Sequence, residues 1–181
     1  IAFAKRSGAA KVIAVGGPKR RLDLAKELGA DVTIDIEDIR DPQERIQLVK
    51  DETKGNRGAD MVVECTGFPV SISEGLSYLR DSGSYVELGH FTDVGNATIN
   101  PHWHLLRNNV NIHGAWGSDV EYMEMALNII EKMEMPYDKL VTHTLPLNRI
   151  EDAIIAMSKK GYRLDGKDQV IKVAIDPWMA L

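Results

Sequence analysis

The sequence has a single cysteine, Cys65, in 181 residues. No internal disulfide is therefore available, which suits a reducing compartment such as the cytoplasm. No apolar run approaches the roughly 20 residues that a bilayer-spanning helix requires, and no secretory signal pattern is visible. A cytoplasmic protein without a membrane partner is the expectation. A basic excess is lacking too: the formal net charge is −5, which argues against a general nucleic-acid binder. Internal repeats and low-complexity tracts are absent, as is an initiator methionine, since the chain starts at Ile1 in the middle of a pattern. With 44% hydrophobic residues the chain can bury a sizeable core, and its length suits one domain or a little more.

The stretch Lys11 to Asp35, KVIAVGGPKRRLDLAKELGADVTID, organises the rest. Val12 to Val15 is a short apolar run rich in β-branched residues, read as a buried strand. Gly16-Gly17-Pro18 ends it and turns the chain. From Lys19 the spacing is helical, with Leu22, Ala25 and Leu28 on one face and Gly29 where a C-terminal cap belongs. Val32 to Ile34 follows as a second strand. Strand, tight turn, helix and strand make a parallel βαβ unit, and in such sheets ligands bind at the carboxyl ends of the strands. The turn from Gly16 to Arg21 is therefore the first place to look for a ligand.

Upstream, Ile1 to Ala9 reads as the last turns of a helix capped near Gly8, and a strand is expected to precede it. Asp41-Pro42-Gln43-Glu44 is a helix-start signature, with Ile46, Val49 and Thr53 facing inward as far as Gly55. Met61-Val62-Val63 reads as a buried strand leading into Glu64-Cys65-Thr66-Gly67. A helix from about Val70 to Leu79, a turn at Asp81-Ser82-Gly83 and a strand Tyr85 to Leu88 ending at Gly89 come next. Ala97 to Ile99 reads as a short edge strand, Asn100-Pro101 as a helical turn and Val110 to Ala115 as a further strand. Ser118 to Glu121 is a capping box opening a helix with Met123, Leu127 and Ile130 inside. Beyond the Met135-Pro136 break, a strand near Leu140 to Thr144, a helix from Arg149 to Lys159 capped by Asn148, a charged loop from Gly161 to Gly166 and a strand Val170 to Ile175 complete the pattern.

Taken together, Arg21 to Asp31 (RLDLAKELGAD), Gly58-Ala59-Asp60, Val62 to Gly67 (VVECTG), Gly83, Gly89, Gly114-Ala115-Trp116, Thr142 to Leu147 (THTLPL) and Lys172 to Ile175 (KVAI) are specific in their order and spacing. Along nearly its whole length the chain resembles the C-terminal half of the zinc-type medium-chain alcohol and polyol dehydrogenases. The resemblance implies an α/β fold, a Rossmann-like doubly wound parallel sheet lacking its first strand. Residues 1–135 are then the NAD(P)-binding domain and 136–181 a C-terminal segment of the GroES-like catalytic domain.

The resemblance also implies the chemistry. A zinc-dependent oxidoreductase passes a hydride between an alcohol or polyol and a nicotinamide dinucleotide, with a catalytic zinc held by Cys, His and often an acidic residue. Those ligands and the glycine-rich pyrophosphate turn match no stretch of this chain. The expectation is accordingly no catalytic residue and no metal ligand here, no activity by the chain alone, and zinc in the full-length parent. The residues expected at the cofactor are Gly16, Gly17, Lys19, Arg20, Arg21, Thr66, Gly67, Leu88, Gly89, Ala115, Trp116 and Lys172. Leu88, Gly89 and Ala115 match positions whose backbone meets the nicotinamide carboxamide, and Lys172 a basic position near the pyrophosphate; an exposed strand lysine is the other reading of Lys172. A homodimer through the sheet edge near 97–115 follows from the same resemblance.

Several residues carry a plainer reading as well. Cys65 reads as a small buried hydrophobe rather than a ligand. His102 and His104 stand at i,i+2, which on a helix points them apart, and His90, His113 and His143 complete no set. Met123, Met125, Met133 and Met135 read as core and interface filling. Trp116 follows a strand end and lines a cleft in this reading, while Trp103 serves packing equally well. Lys19-Arg20-Arg21 opposes the helix dipole unless an anion compensates, so phosphate or ribose contact is favoured over a solvated helix start. No carboxylate follows Val15, where one would repel a 2′-phosphate, so NADP is favoured over NAD. A dinucleotide-sensing module without catalysis and a zinc-free quinone reductase relative remain the alternative classes.

Overall fold

In chain order the elements of the first half are α1 (Ala2–Arg6), β1 (Ile13–Gly16), α2 (Lys19–Glu27), β2 (Val32–Asp35), α3 (Pro42–Asp51), β3 (Ala59–Glu64) and α4 (Pro69–Tyr78). They are followed by β4 (Leu79–Glu87), β5 (Asn111–Gly114), α5 (Val120–Glu131), β6 (His143–Pro146), α6 (Ile150–Ser158) and β7 (Val173–Asp176). The computed structural model describes residues 1–132, 134–158, 164 and 169–179. Met133, the helix end at Lys159 and the predicted Gly161 to Gly166 loop, apart from Leu164, lie outside the described residues. All strand pairs are parallel, in the sheets β1-β2, β3-β4-β5 and β6-β7. Contacts divide the chain into two units, Ile1–Asp38 with Glu124–Leu181, and Ile39–Met123.

In the first unit the opening βαβ pattern forms, with β1 half-buried along its length rather than buried. Ile13 pairs with Val32 and Gly16 with Asp35, and Leu22, Ala25 and Leu28 are buried. Leu24 and Leu28 pack with Ala2 and Tyr137, flanked by Ile129, Met135, Leu140 and Ile171. Gly29 follows the C-cap at φ +99°, a left-handed conformation that closes the helix at no steric penalty to glycine. A second cluster joins Leu145, Ala153, Ala156, Leu164 and Val170 with Val173 and Ile175 around the β6-β7 pair.

The second unit is built on β3, β4 and β5, with Leu76, Leu79 and Tyr85 at its centre and Val62, Ile72, Ile99, Leu105 and Val110 against them. Tyr85 and Leu76 are almost fully buried, and a leucine buried in this way contributes about 1.5–3 kcal/mol. Asp41 caps α3 by accepting from the Gln43 N–H at 2.9 Å, with Pro42 in the first turn, as the sequence pattern requires. From α3, Arg45 reaches Glu74 of α4 through Nε at 2.6 Å and through its terminal nitrogen at 2.7 Å, and donates to the Ile39 carbonyl at 2.6 Å.

Several expectations are corrected. Met61 and Val63 of β3 are 60% and 47% exposed, not buried, because they point to the same face of the sheet, opposite to Val62 and Glu64, and that face is left uncovered among the described residues. Met123, Leu127 and Ile130 of α5 are likewise exposed, while Ala126 and Ile129 are partly covered; the helix turns the second stripe inward. Cys65 is exposed. Ala97 to Ile99 forms no strand, and the helical turn near Asn100 is a π-helical segment, His102–Leu106. Asp81 to Gly83 lies inside β4, which starts at Leu79, rather than forming a turn before it. The strand expected near Leu140 starts at His143, after a 3-10 turn at Tyr137–Leu140, and Asn148 lies within the 3-10 turn Leu147–Arg149 instead of capping α6.

Candidate functional site

The last rung of the second unit's sheet pairs Glu64 with Glu87 and Glu87 with Gly114. The chain therefore leaves three neighbouring strands at one level. Backbone bonds carry the ladder one step further: the Leu88 N–H donates to the Glu64 carbonyl and the Ala115 N–H to the Glu87 carbonyl, each at 3.1 Å. Thr66-Gly67, Leu88-Gly89 and Ala115-Trp116, six of the expected cofactor residues, are thus brought to one sheet end.

That end admits only glycine at two points. Gly67 has φ +70°, and a Cβ there would stand 2.4 Å from the Gly89 carbonyl oxygen. A Cβ on Gly89 would fall 2.0 Å from the Glu64 carboxylate and 2.5 Å from the Gly67 nitrogen. The exits of β3 and β4 touch through bare backbone, so their N–H and C=O groups are set by packing rather than by side-chain choice. Trp116 is 80% exposed, stacks on Phe91 at 5.9 Å between ring centroids and donates its indole N–H to the Phe91 carbonyl at 3.4 Å.

Three side chains outside the expected cofactor residues, Glu64, Glu87 and His90, lie beneath these turns. Glu64, 5% exposed, accepts from the Thr66 N–H at 2.7 Å, the Ser71 hydroxyl at 2.8 Å, the Gly67 N–H at 3.1 Å and the Thr66 hydroxyl. Burial alone would raise its pKa; the Thr66 hydroxyl, the Gly67 and Thr66 N–H groups and the Ser71 hydroxyl outweigh it and hold the carboxyl below its ordinary range. Glu87 binds its own turn one strand over, accepting from the Gly89 N–H at 3.0 Å, the His90 N–H at 3.1 Å and His90 Nδ1 at 3.0 Å. Nδ1 is therefore the protonated nitrogen. A glutamate at a strand's last position followed by a glycine-containing turn was the available signal.

Glu64, Glu87 and His90 offer ligand atoms within 4.8 Å of one another, the one such group among the described residues. They do not fit the Cys- and His-held zinc of alcohol dehydrogenases. Glu64 is committed to its hydrogen-bond donors, and no thiolate stands nearby. Protein crowding, then the negative charge of Glu64, push the exposed Cys65 thiol above its usual range, so at neutral pH it is a protonated thiol.

In the first unit, Gly16 closes β1, and a Cβ there would meet nothing within 4 Å. Gly17 lies beside a carboxylate after all: Asp35 at the end of β2 pairs with Gly16, and its Oδ1 is 3.4 Å from where a Gly17 Cβ would be. Asp35 accepts from the Glu37 N–H at 2.9 Å. This neighbour was illegible because it depends on strand pairing rather than on the residues after Val15. α2 opens at Lys19 without a side-chain cap. Lys19 pairs with Asp23 at 3.2 Å, and both are exposed, as is Arg21. Arg20, Asp23, Leu24 and Glu27 of this helix line an open groove of about 470 Å³ with Lys139, Val141, Thr142 and Ile171. Lys172 is exposed just before β7; its carbonyl accepts from the Thr142 and His143 N–H groups at 3.0 and 3.3 Å.

Residues 1–132 match the family model described as zinc-binding dehydrogenase. The chain is 30% identical over 178 residues to erythritol/L-threitol dehydrogenase of Mycolicibacterium smegmatis, covering 98% of this chain and 45% of that protein. It is 29% identical over 180 residues to L-threonine 3-dehydrogenase of Bacillus subtilis, covering 98% and 47%. Among solved structures, an alcohol dehydrogenase from Thermotoga maritima superposes with a TM-score of 0.84 at 29% identity, over 97% of this chain and 45% of that one. Benzyl alcohol dehydrogenase from Acinetobacter calcoaceticus gives 0.78 at 25% identity, over 96% and 44%. The fold is thereby the Rossmann-like one of these enzymes' C-terminal parts, and the chain spans less than half the length of the relatives it matches.

Proposed function

The chain belongs to the zinc-binding dehydrogenase family, and from that premise we propose that it supplies the dinucleotide-binding part of an oxidoreductase acting on an alcohol or polyol. The observation that carries the proposal is the common level at which β3, β4 and β5 end, with Thr66-Gly67, Leu88-Gly89 and Ala115-Trp116 presented together. Ligands of doubly wound sheets bind at the carboxyl ends of the strands. The nicotinamide ring supplies the hydride chemistry when bound. The chain's own task is to hold the ring's carboxamide through the backbone of Leu88, Gly89 and Ala115 and to line the cleft with Trp116.

In the first unit, Gly16 and Gly17 leave room for the adenine-side ribose, and Lys19, Arg20 and Arg21 offer charge-assisted bonds to a 2′-phosphate. NADP is the proposed partner on that ground. Asp35, the nearest carboxylate, is held by the Glu37 N–H. Lys172 is the proposed pyrophosphate contact. Residues 1–135 serve as the dinucleotide-binding domain and 136–181 as a segment of the catalytic domain, and two copies associate through the outer edge of β5, which is unpaired among the described residues. The chain alone turns over no alcohol. Titration of the purified chain with NADPH and NADH, followed by nicotinamide fluorescence, tests the reading. Saturable binding, tighter for NADPH, is expected; no saturation by either up to millimolar concentration contradicts it.

A further inference from the structure

The Glu64 carboxylate is buried, and apart from the Ser71 hydroxyl of α4 the groups it touches belong to the two turns assigned above to the nicotinamide end. Oε1 accepts from the Thr66 N–H and hydroxyl and from Ser71, the third residue of α4; Oε2 accepts from Gly67. On its other side, Gly89 approaches so closely that a Cβ would fall 2.0 Å from Oε2, and His90 Nδ1 is 3.7 Å away. The Glu64 carbonyl accepts the Leu88 N–H. One residue thus grips the exit of β3 with its side chain and the exit of β4 with its backbone and its bulk.

We propose that Glu64 is a positioning residue for the nicotinamide end of the dinucleotide, fixing the Thr66-Gly67 turn against Leu88-Gly89 so that their backbone groups face the ring's carboxamide in one geometry. This rests on the dinucleotide reading of the same site. An anion is required rather than a mere hydrogen-bonding group. The Thr66 and Gly67 N–H groups, which can only donate, point one at each carboxylate oxygen, and an acceptor-only side chain is the one that satisfies them together. In Glu64→Gln the amide nitrogen must face either the Gly67 N–H or the Thr66 and Ser71 groups. Donor then meets donor, and one turn shifts.

The test compares two ligands on the whole chain. One is the reduced dinucleotide that binds tighter, NADPH or NADH; the other is ADP-ribose or its 2′-phosphate, which lacks the nicotinamide. Glu64→Gln is expected to weaken the dinucleotide about 10- to 100-fold while leaving the adenine-side fragment within about twofold. Ser71→Ala, which deletes one donor and no proposed ligand contact, gives a smaller loss with the same selectivity and serves if Glu64→Gln does not fold. Unchanged dinucleotide affinity in both variants, or equal losses for both ligands, overturns the positioning role while leaving the dinucleotide reading intact. Failure of the unmodified chain to bind either ligand overturns the dinucleotide reading, and the positioning role with it.

Discussion

Replacing Arg45 by methionine leaves Glu74 as a buried carboxylate whose one remaining strong partner is the Tyr78 hydroxyl. Both side chains of the ion pair are nearly solvent-free, 9% and 11% exposed, and the guanidinium bonds are short and two-pronged. Breaking such a pair from one side destabilises by about 3–5 kcal/mol, because the orphaned charge stays in a poorly solvated site. For a chain of this size that is a loss of roughly 6–20 °C in melting temperature. The pH dependence follows from Glu74. Burial pushes its pKa up, but Arg45 and Tyr78 together pull it below the ordinary value. In the unmodified protein its contribution is therefore present above the unfolded-state pKa and fades as pH falls through the folded one. Without Arg45, burial dominates and the pKa rises, so the penalty is full at pH 7 and relieved on acidification. The difference between the two proteins should shrink from pH 7.5 to pH 4.5. Urea unfolding followed by circular dichroism at both values measures it. Arg45→Met with Glu74→Leu should recover most of the loss, since an apolar pair of similar volume needs no charge compensation. A cost under about 1 kcal/mol for the single variant at pH 7.5, or one that does not change with pH, refutes the reasoning.

Gly16→Asp should shift kcat/KM of the full-length enzyme toward NAD by about tenfold or more, since a carboxylate near a 2′-phosphate repels it by roughly 4 kcal/mol at an effective dielectric near 20; no shift means that this turn does not set the choice. Ile112→Pro should lower self-association in analytical ultracentrifugation. Ala115 donates toward β4, so Ile112, an odd number of residues away, points its N–H to the free edge, and proline deletes that donor; dimers of undiminished affinity would remove the β5 edge from consideration. Purified chain dialysed against buffer should show neither alcohol turnover nor a stoichiometric, tightly held zinc. Both together would contradict the proposal that it lacks a complete active site.

Local periodicity carried much of the fold, and its limits are equally physical. The β1-α2-β2 unit was legible because Leu22, Ala25 and Leu28 repeat at helical spacing and are buried, and because Gly29 adopts the positive φ its position suggested. α3 was legible from Asp41 and Pro42, whose cap is local. Met61, Val63, Met123, Leu127 and Ile130 show where that reasoning stops: periodicity identifies an apolar face but says nothing of whether anything covers it. The candidate site divides in the same way. Gly67 and Gly89 were picked out as glycines, but the reason they must be glycines, each backbone against the other turn, is a contact between residues far apart in sequence. Asp35 was given no role for that reason: only the parallel register of β1 and β2 brings it beside Gly17. Glu64 and Glu87 instead bind donors two to seven residues on in their own turns, a local signal that hydrophobic periodicity does not read.

Amide hydrogen exchange of the whole chain, with and without saturating NADPH, tests most directly whether the ends of β3, β4 and β5 hold the dinucleotide. Protection is expected to rise at residues 65–67, 88–91 and 114–117, where the three exits stand at one level, and at 16–21 around the turn after β1. Binding accompanied by protection elsewhere, with those segments exchanging at unchanged rates, would contradict the account.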